Sequence, residues 1–146
     1  MSLSQRQYEA RRWLATAGED LAAARDLERT GHHAQACFFA QQAGEKAVKA
    51  LWFLHDLDPW GHSVQKLVKE FPEALAPGLP GLVTAGAALD KYYVATRYPN
   101  GLPDLTPGQC FGPDDAEQAL RLATRVLTVI APLFPPAPAG TRRVNQ

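Results

Sequence analysis

The segment QACFFAQQAGEKAVKALWFL, residues 35–54, decides the fold of this chain. With about 100° of rotation per residue, a helix places its small apolar residues on one side. These residues are Ala36, Ala40, Ala43, Ala47, Ala50 and Leu54. The other side carries a polar stripe, which consists of Gln42, Glu45, Lys46 and Lys49. Because small side chains let another helix approach closely, the segment predicts a helix that packs tightly against a neighbour.

The preceding residues predict the first neighbour. Residues 4–29 form a helical pattern in which Leu14, Ala17, Leu21 and Ala24 keep helical spacing. Gly31 is suited to a left-handed C-cap, so the first helix ends at Thr30-Gly31. The second helix begins near His33, and so short a connection predicts an antiparallel helical hairpin.

The following residues predict three more helices. A short one runs from the N-cap Ser63 to Phe71, another covers residues 82–97, and the last starts at Pro113. A long connection rich in proline and glycine, residues 98–112, separates the last two.

The predicted architecture is therefore an all-α, up-and-down bundle. It has four main antiparallel helices plus a short helix, over residues 1–134. Residues 135–146 are predicted to be a disordered tail.

Charge and composition exclude several classes of function. The chain has 15 basic and 15 acidic residues, and their balance holds locally, so no basic block binds nucleic acid by bulk electrostatics. The sequence shows no secretory leader and no apolar run long enough to span a membrane, which leads us to expect a cytoplasmic protein without membrane contact. Cys37, Cys110 and the four histidines show no metal-ligand spacing, so we expect no metal and no cofactor.

Four sequence blocks occur together in a recognisable order. They are ACFFAQQAGEKAVKALW, GHSVQKL, LDKYYVATRYPN and PDDAEQALRLATRVL. In this combination the chain resembles the HEPN domain (higher eukaryotes and prokaryotes nucleotide-binding) in its small stand-alone prokaryotic form. The resemblance covers about residues 5–131.

The resemblance implies a helical bundle that forms homodimers and has one of two roles. Many such domains are encoded with a minimal nucleotidyltransferase, in toxin–antitoxin-like pairs. Many others are metal-independent ribonucleases, in which an arginine is followed after four to six residues by a histidine in the dimer cleft. The corresponding positions after Arg97 are Leu102, Pro103 and Asp104. The sequence thus departs from the ribonuclease pattern.

A formal match to that pattern, Arg25 with His32, lies elsewhere. It falls at the first hairpin, which is the wrong place in the fold for the cleft. The resemblance therefore favours a non-catalytic role.

The polar stripe has two interpretations. It forms a solvated face with an ion pair between Glu45 and Lys49, worth roughly 0.3–0.5 kcal/mol, or it lines a subunit interface or cleft. Phe38 and Phe53 lie on the same side of the helix, and a fully solvated face would not usually carry two phenylalanines. This observation favours the interface.

Two further positions are candidate ligand-binding residues. His62 is either a capping or core histidine, or it contacts the phosphate or base of a ligand near the cleft. Arg97 either stabilises a helix C-terminus or binds phosphate, with Tyr98 available to stack on a base. Together with Lys46 and Lys49, these residues form the predicted nucleotide-binding cleft.

Three functional hypotheses follow. The first is a homodimeric, non-catalytic HEPN protein that binds nucleotide or RNA and partners a separately encoded nucleotidyltransferase. The second is a ribonuclease with a divergent site, in which Arg97 stabilises phosphate charge and His62 acts as acid or base. The third is a scaffold that contacts only other protein chains.

Overall fold

The computed structural model describes residues 2–136, which form a helical bundle. Its six α-helices are α1 (Leu3–Arg29), α2 (His33–Leu54), α3 (Val64–Glu70), α4 (Val83–Asp90), α5 (Pro107–Cys110) and α6 (Pro113–Ile130). Single 3-10 turns occur at Glu73–Leu75, Leu79–Leu82, Pro99–Gly101 and Ala131–Leu133. No strand occurs between residues 2 and 136, and the predicted all-α class is confirmed.

The α1–α2 hairpin has well-defined ends. Ser2 and Gln5 form a capping box at the start of α1: the Ser2 hydroxyl accepts from the Gln5 N–H, and the Gln5 side chain accepts from the Ser2 N–H. At the other end Gly31 adopts a φ of 83°, a conformation that favours glycine, and the chain turns directly into α2. The two helices pack along most of their length.

Helix α2 lies at the centre of the core. Its entire predicted apolar face is buried, namely Ala36, Ala40, Ala43, Ala47, Ala50 and Leu54. The helix contacts α1 and α6, and more briefly α3, α4 and α5. A helix with neighbours on several sides must bury some of its polar residues as well as its alanines.

Helices α3 and α4 pack against each other at unusually close range. A Cβ atom placed on Gly86 of α4 would lie 2.8 Å from the backbone nitrogen of Gln65 in α3. The Asp90 carboxylate at the end of α4 also accepts hydrogen bonds from Ser63 and from the Val64 N–H at the start of α3. The two short helices therefore form one unit at the edge of the bundle.

The helix predicted over residues 82–97 is too long at its C-terminal end. Helix α4 ends at Asp90, and the next residues form turns closed by i→i+3 bonds, such as those from Tyr93 to Asp90 and from Arg97 to Val94. The Asp90 side chain accepts a hydrogen bond at the N-terminus of α3. The aromatic and β-branched residues that follow Asp90 have low helix propensity, so α4 does not continue.

The connection between α4 and α6 contains a helical turn that the prediction missed. Helix α5 begins with a capping box, in which the Thr106 hydroxyl accepts from the Gln109 N–H and the Gln109 side chain accepts from the Thr106 N–H. Pro107 occupies its first turn, a favoured position for proline.

The C-terminal end of the described chain returns to α1. Phe134 is buried, the Arg11 guanidinium lies 5.8 Å from the centroid of its ring, and Arg11 also donates to the Pro135 carbonyl. The predicted tail, residues 135–146, falls almost wholly outside the described residues. Within residues 2–136, no helix is both long and apolar enough to cross a membrane.

Candidate functional site

The turn Gly61-His62-Ser63 brings the first part of the site to the edge of α2. Gly61 has a φ of 83°, which a residue with a Cβ rarely adopts. Ser63 is the N-cap of α3, and its hydroxyl accepts from the Lys66 N–H. His62 lies between these two fixed residues, and its side chain is 56% exposed.

Two side chains of α2, Gln41 and Glu45, contact this turn from the buried side. Gln41 is fully buried and Glu45 is 4% exposed. The Gln41 amide donates to the Glu45 carboxylate at 3.2 Å and to the His62 carbonyl at 3.3 Å. The other carboxylate oxygen of Glu45 lies 3.3 Å from His62 Nδ1. The backbone and the ring of His62 are thus both fixed from α2.

Lys49 neutralises the buried carboxylate. Its ammonium lies 3.3 Å from the same Glu45 oxygen that faces His62, and its side chain is only 12% exposed. Because a buried charge is tolerated only when it is paired, the Lys49 ammonium provides the counter-charge for the carboxylate beneath His62.

Tyr93 connects His62 to Arg97. The imidazole of His62 stacks on the Tyr93 ring, with centroids 4.7 Å apart and planes 17° apart. The Arg97 guanidinium lies 4.6 Å from the centroid of the same ring. One aromatic side chain therefore contacts both candidate ligand-binding residues of the site.

Arg97 is surrounded by aromatic rings and remains exposed. Its guanidinium lies 4.6 Å from the Phe38 centroid and 5.1 Å from the Tyr98 centroid, and its Nε donates to the Tyr93 carbonyl at 2.8 Å. These contacts fix the stem and plane of the side chain. They leave the two terminal nitrogens available for a ligand.

An open groove of about 510 Å³ borders Arg97. It runs between the N-terminal part of α2 and α5, and its polar lining includes Gln35, Thr96 and Thr106, beside the ring of Phe39. A groove with aromatic walls and a fixed guanidinium can hold a planar group beside an anionic one.

The polar stripe of α2 is divided among different contacts. Lys46 turns to α1, where its ammonium lies 2.6 Å from the Asp20 carboxylate, and Gln42 donates to Gln41 at 2.9 Å. Glu45 and Lys49 form the ion pair expected from their spacing. The interpretation as a solvated face is wrong for Glu45 and Lys49, because α2 is surrounded by other elements of the same chain.

The structure thus joins some candidate residues and separates others. His62 and Arg97 both contact the Tyr93 ring, and Arg97 also contacts the Tyr98 ring. Lys49 and His62 both contact the Glu45 carboxylate. Lys46 has no described contact with this group and instead pairs with α1.

Sequence reasoning missed several residues of the site. Gln41 was overlooked in favour of its neighbour Gln42, Tyr93 and Asp90 were given no role in it, and Phe38 was expected only to favour an interface. The helix predicted over residues 82–97 does indicate that only one of its two adjacent tyrosines, Tyr92 and Tyr93, faces the core. Tyr92 is the buried one, which leaves Tyr93 for the site.

No group of three or more histidine, cysteine or acidic side chains within residues 2–136 is arranged to hold a metal ion. Cys37 is buried and Cys110 exposed, and both are free thiols. The described side chains of the site are an imidazole, a guanidinium, a buried carboxylate and aromatic rings.

Comparison with known proteins gives one family. The model of the HEPN domain matches residues 10–133. A protein of Methanocaldococcus jannaschii named "Putative toxin MJ1304" is 30% identical over 129 residues, which cover 83% of this chain and 85% of that protein.

Solved structures give the same result. TT1696 from Thermus thermophilus is 38% identical, with a TM-score of 0.80 over 85% of this chain and 97% of that one. ST0689, an archaeal HEPN homologue, is 29% identical, with a TM-score of 0.72 over 86% and 98% of the two chains. The HEPN domain protein TM0613 from Thermotoga maritima is 28% identical, with a TM-score of 0.62 over 84% and 96%.

Proposed function

Because this chain belongs to the HEPN domain family, we propose that it is a non-catalytic protein that binds nucleotide or RNA and partners a separately encoded minimal nucleotidyltransferase. The observation that carries the binding proposal is the setting of Arg97. Its exposed guanidinium is fixed by three aromatic rings at the edge of a groove. Arginine held in this way binds phosphate through two parallel hydrogen bonds, while a neighbouring ring such as Tyr98 stacks on a base.

The local charge supports an anionic ligand although the chain as a whole is neutral. Lys46 and Lys49 are each paired with a carboxylate, whereas the described structure gives Arg97 no carboxylate partner. The phosphate contact is therefore assigned to Arg97, with His62 beside it. Lys49 acts indirectly by neutralising Glu45.

The proposed role in a two-component pair rests on the family and on one relative. Stand-alone HEPN proteins are often encoded beside a nucleotidyltransferase, and the relative from Methanocaldococcus jannaschii is named "Putative toxin MJ1304". We expect this chain to form a toxin–antitoxin-like complex. Co-expression with a nucleotidyltransferase encoded beside its gene should yield a stable complex on size exclusion. Separate elution of the two proteins would contradict the pairing.

The proposed homodimer is supported by apolar residues near the site. Trp60 is 78% exposed, two residues before His62, and Val94 and Tyr98 are exposed on either side of Arg97. Exposed residues of this kind favour a protein contact. Sedimentation should give a dimer for the wild type and a monomer for Val94→Lys. A monomeric wild type would refute the homodimer.

Binding is tested with a short single-stranded RNA and with ATP and GTP. Arg97→Ala should weaken binding by about tenfold or more, because it removes charge-assisted hydrogen bonds to phosphate. Arg121→Ala is the matched control, since Arg121 is an exposed arginine on α6 at 4.0 Å from Glu117. Equal affinities for the wild type and both variants would contradict the proposed site.

A second function, RNA cleavage without metal, is favoured by one observation: His62 and Arg97 contact the same tyrosine ring. In this reaction, His62 would take the proton of a ribose 2′-hydroxyl, whose oxygen attacks the adjacent phosphorus while Arg97 stabilises the phosphate charge. The 5′-oxygen would leave with a proton returned by the imidazolium.

Cleavage is tested in the presence of a chelator. Products ending in a 2′,3′-cyclic phosphate, lost in both His62→Ala and Arg97→Ala, would establish the ribonuclease. Intact RNA after prolonged incubation would leave the non-catalytic function in place.

A further inference from the structure

Three neighbouring side chains contact His62, although its own side chain is largely exposed. Its carbonyl accepts from Gln41 at 3.3 Å, its Nδ1 lies 3.3 Å from Glu45, and its ring stacks on Tyr93 at 4.7 Å. Its backbone is also fixed by the neighbouring N-cap at Ser63. The described contacts therefore leave Nε2 as the polar atom of the imidazole that has no assigned partner.

The groups around Nδ1 determine where the proton of a neutral imidazole resides. A carboxylate has only acceptor atoms, so a neutral His62 must place its proton on Nδ1 in order to donate to Glu45. The Lys49 ammonium lies 3.3 Å from the same carboxylate oxygen, and Gln41 donates to the second oxygen. Gln41, Lys49 and Nδ1 thus all act as donors toward Glu45.

We infer that Glu45 is a positioning residue that fixes the Nδ1–H tautomer of His62, so that Nε2 is a hydrogen-bond acceptor directed at the ligand of Arg97. The ligand half of this inference rests on the proposed function. An acceptor beside a phosphate-binding arginine is suited to a donor group near the phosphate. In a polynucleotide that donor is the ribose 2′-hydroxyl, which distinguishes RNA from DNA.

The tautomer is measured without any ligand. Nitrogen-15 NMR, at a pH where the imidazole is neutral, should show a protonated Nδ1 and an unprotonated Nε2 for His62. In Glu45→Gln the side chain acquires donor hydrogens, and we expect the proton to move toward Nε2. Glu70→Gln is the matched control, because Glu70 is an exposed glutamate of α3 that lies 4.0 Å from Lys66.

Folding of the variant is addressed by a second substitution. Glu45→Gln leaves the ammonium of Lys49 buried without its counter-charge, which destabilises the bundle. The double variant Glu45→Gln with Lys49→Met removes both charges, and it should show the same displaced tautomer. A wild-type His62 protonated on Nε2, or a tautomer unchanged in both variants, would overturn the role of Glu45.

The ligand half of the inference is tested by comparing the protein's affinity for one RNA with its affinity for the DNA of the same sequence. We expect the wild type to prefer the RNA by roughly fivefold, as one additional hydrogen bond predicts. Glu45→Gln should reduce this preference toward equality, whereas Arg97→Ala should weaken binding of both. Equal wild-type affinity for RNA and DNA would overturn the ligand half alone, and binding of neither would overturn the proposed function with it.

Discussion

The hydroxyl of Ser63 donates to the carboxylate of Asp90 at 2.7 Å, and this bond joins two of the chain segments that form the candidate site. Ser63 directly follows His62, and Asp90 lies three residues before Tyr93. The same carboxylate accepts from the Val64 N–H at 2.6 Å and caps α3. The stacking of His62 on Tyr93 therefore depends on a contact outside the stack.

Replacing Asp90 with alanine should destabilise the protein by about 2 kcal/mol, since several backbone and side-chain donors at the start of α3 lose their acceptor. Urea denaturation measures the change. Asp26→Ala is the control, because the described contact of the Asp26 side chain is an exposed i,i+3 pair with Arg29, and its loss should change stability by less than about 0.5 kcal/mol. Equal effects of the two substitutions would refute the role of Asp90.

Two glycines in helices should respond to alanine in opposite directions. At Gly86 the new Cβ would lie 2.8 Å from the backbone of α3, and we expect a loss of about 1–3 kcal/mol. At Gly18, within α1, nothing lies within 4 Å, so alanine should stabilise by about 0.5–1 kcal/mol through its higher helix propensity. Thermal melting of both variants tests the close α3–α4 contact, which would be disproved by a Gly86→Ala variant as stable as the wild type.

The two cysteines should differ sharply in reactivity. Burial, with a further contribution from the charge of Asp115, raises the pKa of the Cys37 thiol to about 12. Cys110 is exposed. At pH 8 a disulfide reagent should therefore titrate one thiol rapidly in the native protein and two in denaturant. Cys110→Ser should abolish the rapid reaction, and a rapid reaction that persists would show that Cys37 is accessible.

His55 should make the protein less stable in mild acid. Burial lowers the pKa of its imidazole, and the nearby charge of Arg6 lowers it further. The unfolded chain then binds a proton more readily than the folded protein as the pH falls below the ordinary histidine pKa of about 6.5, so unfolding is favoured. His55→Phe should flatten the dependence of the urea midpoint on pH between about 7 and 5.

The exposed His32 provides the control for this effect. His32→Gln is the matched substitution, because the His32 side chain is exposed. A His55→Phe variant that loses stability as steeply as the wild type would remove His55 as the cause.

The long helices were predictable because their apolar residues repeat with helical spacing. The predicted starts and ends of α1 and α2 lie within about two residues of the observed ones. The end of α4 was not predictable in the same way, because it depends on Asp90 contacting α3, a contact between residues far apart in sequence. Helix α5 had a local signal, the capping pair Thr106 and Gln109, which a search for capping boxes would have found.

The site was predicted only in part, for a geometric reason. The blocks containing His62 and Arg97 could be identified, but a helical wheel does not show which of two adjacent glutamines meets a distant turn. Gln41 is the one that contacts His62, whereas Gln42 bonds to Gln41. Nor could the sequence show that Lys46 turns to Asp20 while Lys49, three residues later, turns to Glu45.

The most direct test of the account is an NMR titration of the assigned protein with a short single-stranded RNA. The account predicts that backbone signals of residues 35–39, 61–63 and 93–98 shift together, with a common affinity that Arg97→Ala weakens. Shifts confined to the part of α6 around Asp114 and Arg121, or no shifts at millimolar RNA, would contradict it.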